Sequence, residues 1–238
     1  MRLTDYFFRA LQFPLIIKNQ NEELIYAKVW DDTKRGLSWC DSLPSLSPGR
    51  YAVGYNYLYV MTRILNDCKP KNVLDIGLGI SSSLINTYFT GMNMGGHTIV
   101  EHNKEWISFY GQSHKLHKNV EFISPEIICA KKKGYNHFQY GGFRDKVKEK
   151  KYDLISVDAP YGSRHNSRSD IVGVIPDILC DSFVIVFDDA NRKGEKETIK
   201  FLEGKLSKNG ISYKERIYKG NSYVAVIASS DNAFLCTL

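Results

Sequence analysis

No stretch of the chain is long enough and apolar enough to span a bilayer. The longest apolar segment, Ile171 to Phe187, is broken by Pro176, Asp177 and Asp181, whereas a spanning helix needs about 20 predominantly apolar residues. Cysteine is sparse and dispersed: Cys40, Cys68, Cys129, Cys180 and Cys236 include no CxxC pair. An odd, scattered set predicts reduced thiols and a cytoplasmic setting, and argues against a disulfide scaffold or a cysteine-based zinc site. The opening residues, MRLTDYFFRALQFPLII, carry Asp5 and Arg9 inside their apolar part and lead to no small-residue cleavage site. No secretory leader is expected. Internal repeats and low-complexity tracts are also lacking, which removes solenoids from consideration.

What is present is a chain of 238 residues with 43% apolar and 24% charged residues, the composition of a globular protein with a sizeable core. The net charge of +6 is concentrated. Residues 131–151 hold eight Lys/Arg against two acids, so the remainder of the chain is balanced. Tyr135, Phe138, Tyr140 and Phe143 are interleaved with those charges. Two readings stand: a solvated, mobile loop, or a docking surface for phosphate, an acidic polymer or nucleic acid.

Residues 1–46 read as an N-terminal extension. Thr4 would cap a short helix carrying Tyr6, Phe7 and Leu11 that Pro14 ends, with Trp30, Leu37 and Trp39 in irregular sequence beyond it. The main domain is expected over 47–238. Ser47-Pro48 reads as a helix start, followed by Val53, Tyr57, Val60, Met61, Ile64 and Leu65 at helical spacing. Tyr51, Tyr55, Tyr57 and Tyr59 are expected mainly in packing. From Asn72 the pattern alternates. Strands are expected near 72–76, 98–101, 120–123, 152–158 and 183–188, with helices near 81–90, from 104, and over 195–206. The apolar character of the first, fourth and fifth strands suits parallel strands buried on both faces. Segments 211–218 and 222–229, joined by Lys219-Gly220-Asn221, read as an antiparallel hairpin. The whole predicts an α/β, Rossmann-like, doubly wound, mostly parallel sheet with an antiparallel C-terminal edge.

The strongest local signal is VLDIGLGISSSLI, residues 73–85. An apolar strand reaches Asp75, then Gly77 and Gly79, then a helix start carrying Ser81 and Ser82. Glycines there let the backbone turn and approach a ligand, and the following amides face it at a helix N-terminus. Glu101 ends the second strand, placed to accept two hydrogen bonds from a ribose diol. Alone, Gly77-x-Gly79 is a weak signal, because many strand-to-helix turns need glycine for geometry. Glu101 could equally cap the next helix.

With these residues the chain resembles the class I S-adenosylmethionine (SAM)-dependent methyltransferases over residues 70–229. The resemblance rests on DIGLG after strand one, Glu101 after strand two, YDLISVDAP, FVIVFDD and the terminal hairpin. It implies a seven-stranded sheet whose last strand is antiparallel. It also implies a cofactor site formed by Asp75, Gly77, Gly79, Ser81, Ser82 and Glu101. Ser81 stands where that family often has a third glycine. Position 82 is serine, which weakens the rival reading of a dinucleotide GxGxxG site.

Two chemistries are open for the acids that end strands four and five. In one, Asp158, Asp188 and Asp189 hold Mg²⁺, a hard cation that suits oxygen ligands and lowers the pKa of an acceptor hydroxyl. That pattern is similar to catechol-type and sugar O-methyltransferases, and DAPYGSR followed by FDDANR loosely resembles glucuronoxylan O-methyltransferases, which implies a saccharide or other small hydroxyl acceptor. In the other, Asp158-Ala159-Pro160-Tyr161 resembles the DPPY motif of nucleic-acid amino-methyltransferases, with the basic segment on phosphates. His165 is the candidate proton acceptor beside Asp158, and Arg164 and Arg168 are candidate clamps for an acidic group. A binding module that keeps the cofactor without catalysis is the third alternative.

Overall fold

The computed structural model describes residues 3–49 and 52–238, with side chains from residue 14 onward. Helix α1 spans Leu3–Lys34 with Pro14 inside it, so the expected stop at Pro14 does not occur. Pro14 removes one backbone donor, while the later turns are fixed by packing. Buried Glu23 accepts hydrogen bonds from the Tyr55 and Asn221 amides, and buried Trp30 donates from Nε1 to Thr62 Oγ1 at 2.9 Å. Trp30, Trp39 and Cys40 thereby join the main core instead of lying in irregular sequence. The expected cap Thr4 and the helix residues Tyr6, Phe7 and Leu11 have side chains outside the described set, and Tyr51 lies outside it altogether.

Helix α2 (Tyr55–Arg63) starts after Gly54, not at Ser47-Pro48. Gly49, at φ 98°, turns the chain out of the helical region directly after Pro48. A wide turn over Ile64–Cys68 ends the helix, with left-handed Lys69 closing it. Val53, Tyr57, Val60, Met61, Ile64 and Leu65 are buried, as their spacing required, and Leu58 is buried with them.

Seven strands form the central sheet: β1 (Asn72–Ile76), β2 (Gly96–Val100), β3 (Val120–Ile123), β6 (Tyr152–Val157), β7 (Leu179–Phe187), β8 (Tyr213–Lys219) and β9 (Tyr223–Ser229). Their order is β3-β2-β1-β6-β7-β9-β8. The first five run parallel, and β9 pairs antiparallel with both β7 and β8. Helix α3 (Ile80–Met92) follows β1 and α4 (Lys104–Ser113) follows β2. Short α6 (Asp170–Val174) precedes β7, and α7 (Lys193–Lys208) follows it. Two apolar layers result. One joins α1, α2 and α3 to one sheet face, and the other joins α6 and α7 to the opposite face. Leu154 in β6 and Val186 and Ile185 in β7 are fully buried, so truncating one to alanine would cost about 2–5 kcal/mol.

The basic segment is not an irregular loop. Residues Ile127–Lys132 (β4) and Tyr135–Tyr140 (β5) form a separate antiparallel hairpin, followed by α5 (Phe143–Val147). Lys133 and Gly134 both adopt positive φ, 50° and 85°, the two-residue turn that matches strand twist. The hairpin lies against the sheet's C-terminal rim: Tyr135 stacks on His165 and Phe138 meets Tyr161 edge-on. The strand order reverses between β1 and β6, which opens a crevice at their C-terminal ends.

Candidate active-site cleft

A cleft of about 580 Å³ occupies that crevice, within the usual range for small-molecule sites. Its floor is the β1–α3 turn. Gly77 has φ 116°, a conformation closed to most side chains, and packs on Ala159. Gly79 differs: its φ of −163° suits any residue, and a β-carbon built on it meets nothing within 4 Å. The space above Gly79 is open cleft, and Ser81 lines it alongside Gly77 and Leu78.

Asp75 and Ser82 lie beneath the turn, both fully buried. The Ser82 hydroxyl donates to Asp75 Oδ2 at 2.5 Å and accepts the Gly79 amide at 3.1 Å. Asp75 Oδ1 accepts from Ser156 Oγ at 2.7 Å. These two residues shape the turn from below, while Gly77, Gly79, Ser81 and Glu101 face the cleft.

Glu101 is 7% exposed. Its Oε2 accepts the Leu78 amide at 3.3 Å and its Oε1 the Asn103 amide at 2.7 Å. His102 Nδ1 also stands 2.9 Å from Oε1, so of the carboxylate's about four acceptor positions the open one is on Oε2, available to a ribose hydroxyl. Trp106 lines the same wall and donates its indole N–H to Leu78 O at 2.8 Å. Its half-exposed ring supplies a flat apolar face. Sequence reading gave Trp106 no role, although an aromatic one turn into the helix after the ribose-type acid was the available signal. His102, joined at 3.0 Å to the Tyr161 of the Asp158–Tyr161 motif, was also missed as a lining residue. This donor and surface set fits an adenosyl group.

The opposite end is polar, lined by Asp158, Asp188, Asp189, Arg192 and Ser222. One oxygen from each of the three acids lies within 4.8 Å of the others. Burial and mutual repulsion raise the Asp158 and Asp188 carboxyls above the usual carboxylate range, and the Arg168 guanidinium opposes the rise. Arg168 is 4% exposed. One of its terminal nitrogens, Nη2, stands 3.0 Å from Asp158 Oδ1 and 2.9 Å from Asp189 Oδ2, and the other donates to Asp188 O at 2.9 Å. Arg192 adds a contact of 2.7 Å to Asp189 Oδ2. Ser222 Oγ lies 3.1 Å from both Asp188 Oδ1 and Asp189 Oδ1.

The carboxylates converge as a metal site would require, but the cation among them is a guanidinium. Unit charges roughly 4 Å apart interact by about 4 kcal/mol at an effective dielectric near 20. A dication beside Arg168 would meet about twice that repulsion while competing for oxygens already bonded. The triad as folded already carries counter-charge from Arg168 and Arg192. His165 is not among the residues lining the cleft. Its Nδ1 lies 2.8 Å from Glu197 Oε1, its Nε2 lies 3.3 Å from Lys193 Nζ, and its ring stacks on Tyr135. Arg164 is exposed at the surface.

A scan against protein-family models found no match, and a search of curated proteins found none. Solved structures do match in shape. An O-methyltransferase from Bacillus cereus in complex with S-adenosylhomocysteine (SAH) aligns with a TM-score of 0.53 and 14% identity, over 90% of this chain and all of that one. A Podospora anserina methyltransferase with SAH bound aligns at 0.51 and 16%, over 97% and 98%. A precorrin-6Y C5,15-methyltransferase from Geobacter metallireducens aligns at 0.51 and 16%, over 79% and 94%. At such identities the likeness shows the fold, which is that of class I SAM-dependent methyltransferases, and it spans acceptors of different kinds.

Proposed function

We propose that the chain is a SAM-dependent O-methyltransferase acting on a small hydroxyl compound. One observation carries the reading: the bare backbone at Gly79 and the Glu101 carboxylate, with Oε2 open to a further donor, face one cleft at the sheet's switch point. SAM would lie with its ribose on Glu101, its adenine against Trp106 and its sulfur-bearing tail over Gly77–Ser81. SAM supplies an electrophilic methyl group when bound. The protein's work is then alignment of the acceptor, a contribution on the order of 7–11 kcal/mol in well-oriented systems, and acceptance of its proton.

The acceptor end favours a polyhydroxylated molecule, a sugar among the candidates. Asp158, Asp188, Arg192 and Ser222 offer closely spaced acceptors and donors. Asp158 is a quarter exposed and has its second carboxylate oxygen available to take the acceptor proton. We give that role to Asp158 and not to His165, which stands outside the cleft. The five free cysteines suit a reducing, cytoplasmic setting, and no described helix is long and apolar enough to cross a membrane.

The test is incubation with methyl-labelled SAM and a panel of polyols, sugar acids, phenols and oligonucleotides, followed by detection of SAH and labelled product. Methyl ethers on a small hydroxyl compound are expected. Label in oligonucleotide amines would replace O-transfer with the N-transfer reading. SAH binding without turnover on any class would leave a binding module.

A further inference from the structure

We propose that Arg168 is the built-in cation of the carboxylate rim, standing where a divalent ion would bind and holding Asp158 towards the acceptor. The inference rests on the methyltransferase reading of the cleft and deepens it: the site works with a guanidinium in place of a metal.

The placement is enforced by the surrounding fold. Arg168 and Asn166 both adopt left-handed backbone, φ 54° and 52°, as does Asp189 at 60°, a conformation that non-glycine residues keep only when neighbours impose it. Helix α7 imposes it. Glu197 accepts the Asn166 amide, Glu195 accepts the Ser167 hydroxyl at 2.8 Å, and Thr198 Oγ1 donates to Ser167 O at 2.6 Å. Gly194 leaves the room this needs, since a β-carbon there would stand 2.2 Å from Ser163 O. The loop therefore delivers a buried guanidinium to a fixed point between β6 and β7. There one nitrogen bridges Asp158 and Asp189. A metal held by the triad would draw on the carboxylates that this guanidinium already bridges.

Guanidinium and metal differ in consequence. The guanidinium neutralises and orients the carboxylates without activating a hydroxyl as a Lewis acid. The proton must then leave the acceptor to a carboxylate of the rim. Arg168 touches Asp158 and not the acceptor, so it is a positioning residue.

The test is Mn²⁺ binding, read by electron paramagnetic resonance, with SAH affinity measured in parallel. The wild-type chain is expected to bind no Mn²⁺ at the rim and to keep its methyl-transfer rate in chelator. Arg168→Met, checked for retained SAH binding, is expected to gain Mn²⁺ affinity by at least about a hundredfold once the repulsion is gone. Adding Asp188→Asn should remove that gain, and Arg168→Lys should stay metal-free. Stoichiometric Mn²⁺ on the wild type that Asp188→Asn abolishes would overturn the proposal, with or without a folded Arg168 variant. So would an Arg168→Met protein that binds SAH yet gains no Mn²⁺. Failure of the wild type to bind SAH is a separate outcome: it removes the methyl-donor reading and with it the proposal's premise, whatever Mn²⁺ does.

Discussion

Replacing Gly79 with alanine and then valine separates the cofactor from the fold. The backbone there, at φ −163°, is open to any residue, and a β-carbon meets no atom within 4 Å. Two effects on stability oppose each other. Removing glycine from the unfolded ensemble favours folding by about 0.4–1 kcal/mol. Losing glycine at the N-cap of α3 costs a comparable amount, about 0.5–1 kcal/mol. The net should fall within about 0.5 kcal/mol, which for a chain of this size moves the melting temperature by under about 2 °C. Binding has no such cancellation. A side chain in the space that the sulfur-bearing tail needs amounts to overpacking, about 1–3 kcal/mol. That raises Kd roughly 5- to 150-fold, alanine at the low end and valine at the high end. Gly77→Ala is the contrast. At φ 116°, with a β-carbon 3.1 Å from that of Ala159, it should lose about 1–3 kcal/mol of stability outright. Calorimetric titration with SAH beside thermal denaturation reads both quantities. A Gly79→Val protein with unchanged melting temperature and unchanged SAH affinity would show that no ligand lies on that backbone, and the cofactor assignment would go with it.

Glu101→Gln should weaken SAH binding by about 1.5–3 kcal/mol, the value of hydrogen bonds to a charged acceptor, and titration calorimetry giving the wild-type Kd would refute the ribose role. Asp75→Ala should destabilise the chain by about 2–4 kcal/mol, because the Ser82 and Ser156 hydroxyls lose a buried acceptor; urea denaturation checks it. His165→Ala should keep the transfer rate across pH 6–9, since the ring is held by Glu197 and Tyr135 outside the cleft, and a fallen rate with intact SAH binding would restore it as the base. Burial, a hydrogen bond that the protonated Glu203 carboxyl donates to Glu215, and repulsion from the Glu215 carboxylate raise Glu203 to about 7. The folded chain then holds a proton that the unfolded chain releases near 4.5, so stability from this group falls as pH rises from about 4.5 to 7 and is level above. Glu203→Gln should flatten that slope in melting temperatures measured against pH.

The parts of this molecule that reading the residues could reach are those where one strand and its own end decide the outcome. Strands β1, β6 and β7 are sandwiched between two helical layers, so each is a run of apolar residues that announces itself. Parallel strands bring their C-terminal ends to one rim, so Gly79, Glu101, Asp158 and Asp188 could be gathered from strand ends alone. The unread parts depend on partners far along the chain. Helix α1 continues past Pro14 because Glu23 is clasped by Tyr55 and Asn221. The β4–β5 hairpin hides behind lysines, and its turn is made by Lys133-Gly134, outside the usual hairpin pairs. Arg168 is the instructive case. Ten residues after Asp158 it read as a substrate clamp, because nothing local says that α7 bends its loop inward. Once bent, it occupies the place among the carboxylates that a metal would take, so three acids at strand ends specify a cation without specifying which. The choice between ion and side chain is made by Glu195, Glu197 and Thr198, residues on a helix that contributes nothing to the cleft itself.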